Sequence, residues 1–183
     1  MTIVAIYPPL MQGKSCKVER HSESITVALG EKMNSTYGLV KHYPGELTHK
    51  VEPLDGAAVC CGIYGVFEHT GIWVDGNIIE LKGNGLIRAI SPSRFTNGRS
   101  GNVIYLACDD NRLPLLDSGS ASRAVSRLYE YSDYNIISNN CHKFAWNCVS
   151  GSKQRMTSFY DFNTALARHF STQLSWCPID IGR

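Results

Sequence analysis

Long hydrophobic runs are missing from this chain. The most apolar stretches, such as Ala57-Ala58-Val59-Cys60-Cys61, fall far short of the roughly 18–20 residues needed to span a bilayer, which excludes a transmembrane helix. Charge of one sign is equally scarce: 18 Lys and Arg against 16 Asp and Glu leave a formal +2, with the basic residues scattered singly. Such a surface gives no footprint for nucleic acid or an anionic membrane. A paired cysteine framework is absent too, since the seven cysteines are odd in number and include the adjacent Cys60-Cys61; they read as mostly reduced thiols. The opening Met1-Thr2-Ile3-Val4-Ala5-Ile6-Tyr7-Pro8-Pro9 has no basic leader and meets a diproline before an apolar signal region can form. Cytoplasmic synthesis without classical export is the expectation, compatible with a signal-less secretion route such as an effector toxin would use.

What is present fits one domain. The 183 residues suffice for a single core, read here as residues 51–183, with residues 1–50 an N-terminal extension of undefined role packed on it. Short β-like runs occur at Ile3–Tyr7, Ile25–Leu29 and Tyr37–Lys41. From Val51 the pattern sharpens. Ala57–Val66 reads as a buried strand, and His69–Val74 and Asn77–Leu81 flank Asp75-Gly76, a two-residue hairpin signal because both turn positions require positive φ. Strands at Leu86–Ile90 and Asn102–Ala107, a turn at Ser91-Pro92-Ser93 and a loop at Cys108–Ser118 follow. The spacing of Ala121, Ala124, Val125, Leu128 and Tyr129 predicts a helix over Ser120–Tyr131. Tyr134–Ile137 reads as extended, and Ser138-Asn139-Asn140 supplies cap residues for a helix that starts at Cys141 and stops at Gly151. A last helix, Asp161–His169, precedes a loop. Strands first and helices later make an α+β fold.

In a two-residue hairpin Val74 pairs with Asn77, Trp73 with Ile78, Ile72 with Ile79 and Gly71 with Glu80. His69 and Glu80 then share a face as diagonal neighbours, and Gly71 leaves room for them to touch. Thr70, Ile72, Val74, Ile79 and Leu81 form the opposite, core-facing side. Cys141 is the matching nucleophile, because a thiol in the first turn of a helix feels the positive end of the macrodipole and unpaired N–H groups that favour thiolate and can hold an oxyanion. Together Cys141, His69 and Glu80 make a Cys–His–acid triad. The blander readings are a hydrogen-bonded strand histidine, a solvent-facing glutamate and a small buried thiol. Cys60, Cys61, Cys108, Cys148 and Cys177 are assigned to the last of these, and His142 to a flank of the site. His21, His42, His49 and His169 are read as surface residues. A zinc site from Cys141, His142, Cys148 and Cys60 or Cys61 is poorly spaced, since two helical turns set the first and third ligands about 10 Å apart. No metal or cofactor is expected.

The segments Glu68-His69-Thr70-Gly71-Ile72-Trp73-Val74, Asp75-Gly76-Asn77-Ile78-Ile79-Glu80-Leu81 and Tyr134-Asn135-Ile136-Ile137-Ser138-Asn139-Asn140-Cys141-His142-Lys143-Phe144 resemble the circularly permuted papain-like group. That group embraces lecithin:retinol acyltransferase-like proteins, permuted relatives of NlpC-type cell-wall peptidases and permuted papain-fold isopeptidases. The resemblance covers roughly Pro53 to Gly151. It implies an antiparallel sheet packed on helices with the His strand before the Cys helix, Cys141 as nucleophile, His69 as general base and Glu80 as the residue orienting that base. Acyltransferase members usually carry His at the third position and Asn-Cys-Glu-His-Phe around the nucleophile, whereas this chain has Glu80 and Asn-Cys-His-Lys-Phe. The expectation is therefore a thiol hydrolase acting on an amide in a peptide, isopeptide or peptidoglycan-type crosslink. A lipid acyltransferase or thioesterase, and a non-catalytic binding module, are the alternatives.

Overall fold

The structure, a computed structural model, describes residues 39–63 and 67–181. The β-like runs Ile3–Tyr7 and Ile25–Leu29, with Cys16 and His21, lie outside them.

The Asp75-Gly76 dipeptide organises the sheet. Both residues take positive φ, 48° and 69°, so the chain reverses in two residues, and Val74 meets Asn77, Trp73 meets Ile78 and Ile72 meets Ile79, in the register that the hairpin predicts. The flanking strands are β3 (Phe67–Val74) and β4 (Asn77–Leu81). Around them lie β1 (Val40–His42), β2 (Ala58–Ile63), β5 (Ile87–Ile90), β6 (Tyr105–Cys108) and β7 (Leu174–Pro178). Together they form a seven-stranded sheet in the order β1-β7-β6-β2-β3-β4-β5. It is mixed, because β1 runs parallel to β7 while the other neighbours are antiparallel. β1 lies before Val51 and belongs to this sheet; the unit containing it spans Gly38–Arg183.

The helices among the described residues are α1 (Pro92–Thr96), α2 (Ser120–Val125), α3 (Cys141–Ser150) and α4 (Phe159–His169), which makes the fold α+β. α3 and α4 pack on one face of the sheet, where Ile72, Ile79, Leu81 and Trp176 meet Phe144, Phe162 and Leu166. The other face carries Val59, Cys61, Trp73, Ile78, Ile90 and Leu106 against Phe95 of α1. Both faces are buried over the central strands, so Ile72 and Trp73 of β3, Ile78 and Ile79 of β4 and Cys60 and Cys61 of β2 put apolar side chains on both sides.

Several elements differ from the sequence reading, each for a local reason. The expected helix over Ser120–Tyr131 ends at Val125 because the chain then turns to pair with β5, Tyr129 N–H bonding Ile87 O at 2.9 Å and Ile87 N–H bonding Glu130 O at 3.0 Å. Exposed edge-strand backbone competes successfully with the next helical turn. Tyr134–Ile137 is not extended: Asn135 Oδ1 accepts from the amides of Ile137 and Ser138 at 2.9 and 3.0 Å, folding this segment into a tight turn. The stretch after α4 is not a loop throughout, for β7 is wholly buried between β1 and β6. Ser91-Pro92-Ser93 opens α1, with Pro92 in its first turn.

Candidate active site

Cys141 occupies the first position of α3. Asn140 caps the helix, its Oδ1 accepting from Lys143 N–H at 2.9 Å, while its Nδ2 donates to Ile136 O at 2.8 Å and Met156 O at 3.0 Å. One side chain therefore ties the helix start to two loops, and with Lys143 capped, the first-turn amides of Cys141 and His142 are left without intrahelical acceptors. Gly151 ends the helix at φ 70°.

His69 lies near the start of β3. Pairing with β4 ends at Ile72–Ile79, one pair before the expected Gly71–Glu80, so Phe67–Gly71 are flanked in the sheet by β2 alone. The strands still approach closely at that point. A Cβ on Gly71 would sit 2.6 Å from Ile78 Cγ2 and 2.9 Å from Ile79 O, so only glycine fits. Across this gap His69 Nε2 donates to Glu80 Oε2 at 2.7 Å. With Nε2 held, Nδ1 is the nitrogen left for Cys141; the two residues line one cleft, and each shifts the other's ionisation. The structure thus brings together the three side chains selected from the sequence.

The electrostatics follow from this contact. Burial pushes the Cys141 thiol up, but the neighbouring imidazolium of His69, its hydrogen bond, and further bonds from the backbone and side chain of Thr70 outweigh it, and the thiol ends below its ordinary value. Burial pushes His69 down, and the Cys141 thiolate with the Glu80 hydrogen bond more than reverses that. Each group shifts the other toward its charged form, imidazolium and thiolate. Cys61 and Cys148 are pushed up to about 12 by burial; Cys177 is lowered by its bond from Cys108 but lies wholly inside the sheet, so Cys141 is the lowered thiol that lines a cleft.

Two residues that the sequence reading missed complete the site. Glu80 is 0 % exposed, and its Oε1 accepts from Arg88 Nε and Nη2 at 2.9 and 2.7 Å, while Oε2 accepts from Arg99 Nη2 at 3.0 Å besides His69. Burial penalises the carboxylate, yet these donors pull it to about 2. Arg88 was findable: it lies directly opposite Glu80 in the β4–β5 pair, a cross-strand register readable from Lys82-Gly83-Asn84-Gly85 as a turn. Arg99 was not, because its loop is held by a contact distant in sequence, Gly101 N–H on Gly62 O at 3.2 Å.

Thr70, read as a core residue, instead touches Cys141 and lies 3.3 Å from His142 Nδ1. His142, read as a flank, is buried beside Phe159 and Phe162, lines the site, and is held by burial down to about 4, hence neutral above that pH. Of the histidines read as surface residues, His169 is exposed and faces Asp117 at 3.6 Å, and His42 is half-buried and meets Ser175 Oγ at 3.1 Å. The five cysteines assigned to the core are buried there. Among the described residues, no three His, Cys, Asp or Glu side chains converge as metal ligands, and the zinc set does not assemble. No helix among them is long and apolar enough to cross a membrane.

Cys141 and His69 open into a cleft of about 550 Å³, walled by Phe67, Tyr134, Ile136, Phe159 and Tyr160. Phe67 and Ile136 stand at its rim, 61 % and 64 % exposed. None of the protein-family models compared with the chain matches it, and no curated protein matches it.

Proposed function

We propose that the protein is a cysteine-dependent hydrolase of the permuted papain-like type that cleaves an acyl bond through a thioester. The observation that carries this reading is the chain Cys141–His69–Glu80, with a 2.7 Å bond at its acid end and a thiol lowered by its imidazole partner at the other. Cys141 Sγ attacks the acyl carbon, and the carbonyl electron pair moves to oxygen, facing the open amides of Cys141 and His142. The intermediate collapses as the C–N or C–O bond breaks, and His69 passes its proton to the leaving group. His69 then takes a proton from water, the hydroxide attacks the thioester, and the thiolate departs. Glu80 keeps Nε2 protonated and the ring in place throughout.

An amide in a peptide, isopeptide or peptidoglycan crosslink is the substrate class the reading favours. A second reading, transfer or hydrolysis of a lipid acyl group, draws support from the aromatic and aliphatic cleft walls. Iodoacetamide labelling with mass spectrometry tests the nucleophile: Cys141 alkylates selectively below about pH 8, and His69→Ala weakens it. Equal labelling of every accessible thiol instead would indicate a binding module. A panel of peptidoglycan fragments, isopeptide conjugates and phospholipids then separates the readings by released product or acylated acceptor.

A further inference from the structure

We infer that Arg88 and Arg99 are positioning residues with separate tasks on the two oxygens of Glu80: Arg88 fixes the carboxylate so that Oε2 meets His69, and Arg99 restrains the imidazolium by competing for that same oxygen. This rests on the Cys141–His69 reading above.

The division of labour is geometric. Arg88 aims two N–H groups, Nε and Nη2, at Oε1, a chelate that sets the rotation of the carboxylate. Arg99 sends a single Nη2 bond to Oε2 at 3.0 Å, where His69 Nε2 also arrives at 2.7 Å. Arg99 is itself held by Phe95, through a bond from Nη1 to its carbonyl and by stacking 4.9 Å from its ring centroid. Burying a carboxylate calls for one neutralising cation; here two guanidinium groups already surround it when His69 is neutral. That cluster carries net positive charge before the imidazole is protonated. An imidazolium beside a neutral thiol adds to the excess, whereas an imidazolium beside a thiolate does not. The arrangement therefore selects the ion pair over a lone charged histidine.

The groups facing His69 are few. Cys61 comes from β2, Glu80 from β4, Arg99 from the loop after α1 and Cys141 from α3, with Arg88 of β5 beyond Glu80. His142, one residue on from Cys141, also feels the His69 charge, and Glu68, adjacent in the chain, acts on Cys60. Cys61 stays a thiol up to about pH 12 and His142 stays neutral above about 4, so across neutrality neither adds a charge beside Cys141 and His69.

The test is the imidazole resonances of His69 in the full chain carrying Cys141→Ala, followed by NMR through a pH titration. Removing a cation favours the protonated ring, so Arg99→Gln should raise the His69 midpoint by about one pH unit, and Arg99→Lys, which restores a point charge and one donor, should return it. Arg88→Lys keeps the charge but cannot supply two convergent N–H groups. It should leave the midpoint near that of the parent and broaden or lose the downfield Nε2 proton held by Glu80. Melting temperatures of each variant identify unfolded samples, and the lysine variants provide a readout where a glutamine variant does not fold. An unmoved midpoint in Arg99→Gln, or an intact downfield proton in Arg88→Lys, overturns the inference. Selective alkylation of Cys141 in the wild-type chain is a separate result: if it fails, the hydrolase reading falls while the titration still decides the roles of the arginines.

Discussion

The two faces of the sheet are both buried but differently built. The helix face is an apolar mass in which Ile72, Ile79, Leu81 and Trp176 pack on Phe144, Phe162 and Leu166. The opposite face has its own apolar patch around Trp73, Ile78 and Phe95, and beside it a buried carboxylate ringed by an imidazole and two guanidiniums. Stability from apolar burial is roughly additive and insensitive to direction, whereas the charged cluster is satisfied only in one geometry. The difference teaches where tolerance lies: the first face can lose a methyl group and keep its chemistry, and the second can lose its chemistry while keeping its fold.

That contrast can be broken or sharpened by four measurements. The largest effect is expected from His69→Ala, which should lower turnover of the substrate found in the panel by about 10²–10⁴-fold while urea unfolding stays cooperative. Leu166→Ala, at a wholly buried position on the helix face, should cost about 2–5 kcal/mol in urea and leave the pH dependence of Cys141 alkylation where it was; a moved profile would show that the faces are coupled. The third concerns acid. Because the Glu80 carboxyl is lowered from 4.5 to about 2 on folding, its contribution is present above 4.5 and lost as pH falls through the folded value. Stability should therefore decline by on the order of 3 kcal/mol over that window, and Glu80→Gln should flatten the decline. The smallest effect belongs to Gly101→Ala, whose Cβ would meet Gly62 N at 2.9 Å and O at 3.1 Å; it should cost about 1–3 kcal/mol and perturb the His69 titration by shifting the Arg99 loop.

What could be read from the sequence was whatever local rules decide. The Asp75-Gly76 turn dictates its own φ angles and hence the pairing of Val74 with Asn77, and from that register His69 and Glu80 follow onto one face. Asn140 and Gly151 bracket α3 by capping chemistry alone. Legibility stopped where tertiary contacts decide. β7 contains Ser175, Cys177 and Pro178, a weak strand pattern that only burial between two neighbours makes extended. The helical spacing past Val125 was overridden by β5, whose edge amide at Ile87 found Glu130 O. Arg99 became part of the site through a contact between its loop and the distant strand β2, Gly101 N–H on Gly62 O, which leaves no periodic trace.

The position of β7 carries a consequence for biosynthesis. It is the last strand along the described chain, yet it enters the sheet between β1 and β6, joining the earliest strand to the rest. A chain emerging from a ribosome can make the β3–β4 hairpin and the Cys141 helix early, but β1 has no strand to run beside until Leu174–Pro178 is released. Completion of the sheet is thus a late, long-range event, and a nascent chain cut short before it would leave β6 as an uncovered edge and β1 unpaired, a form suited to degradation or aggregation.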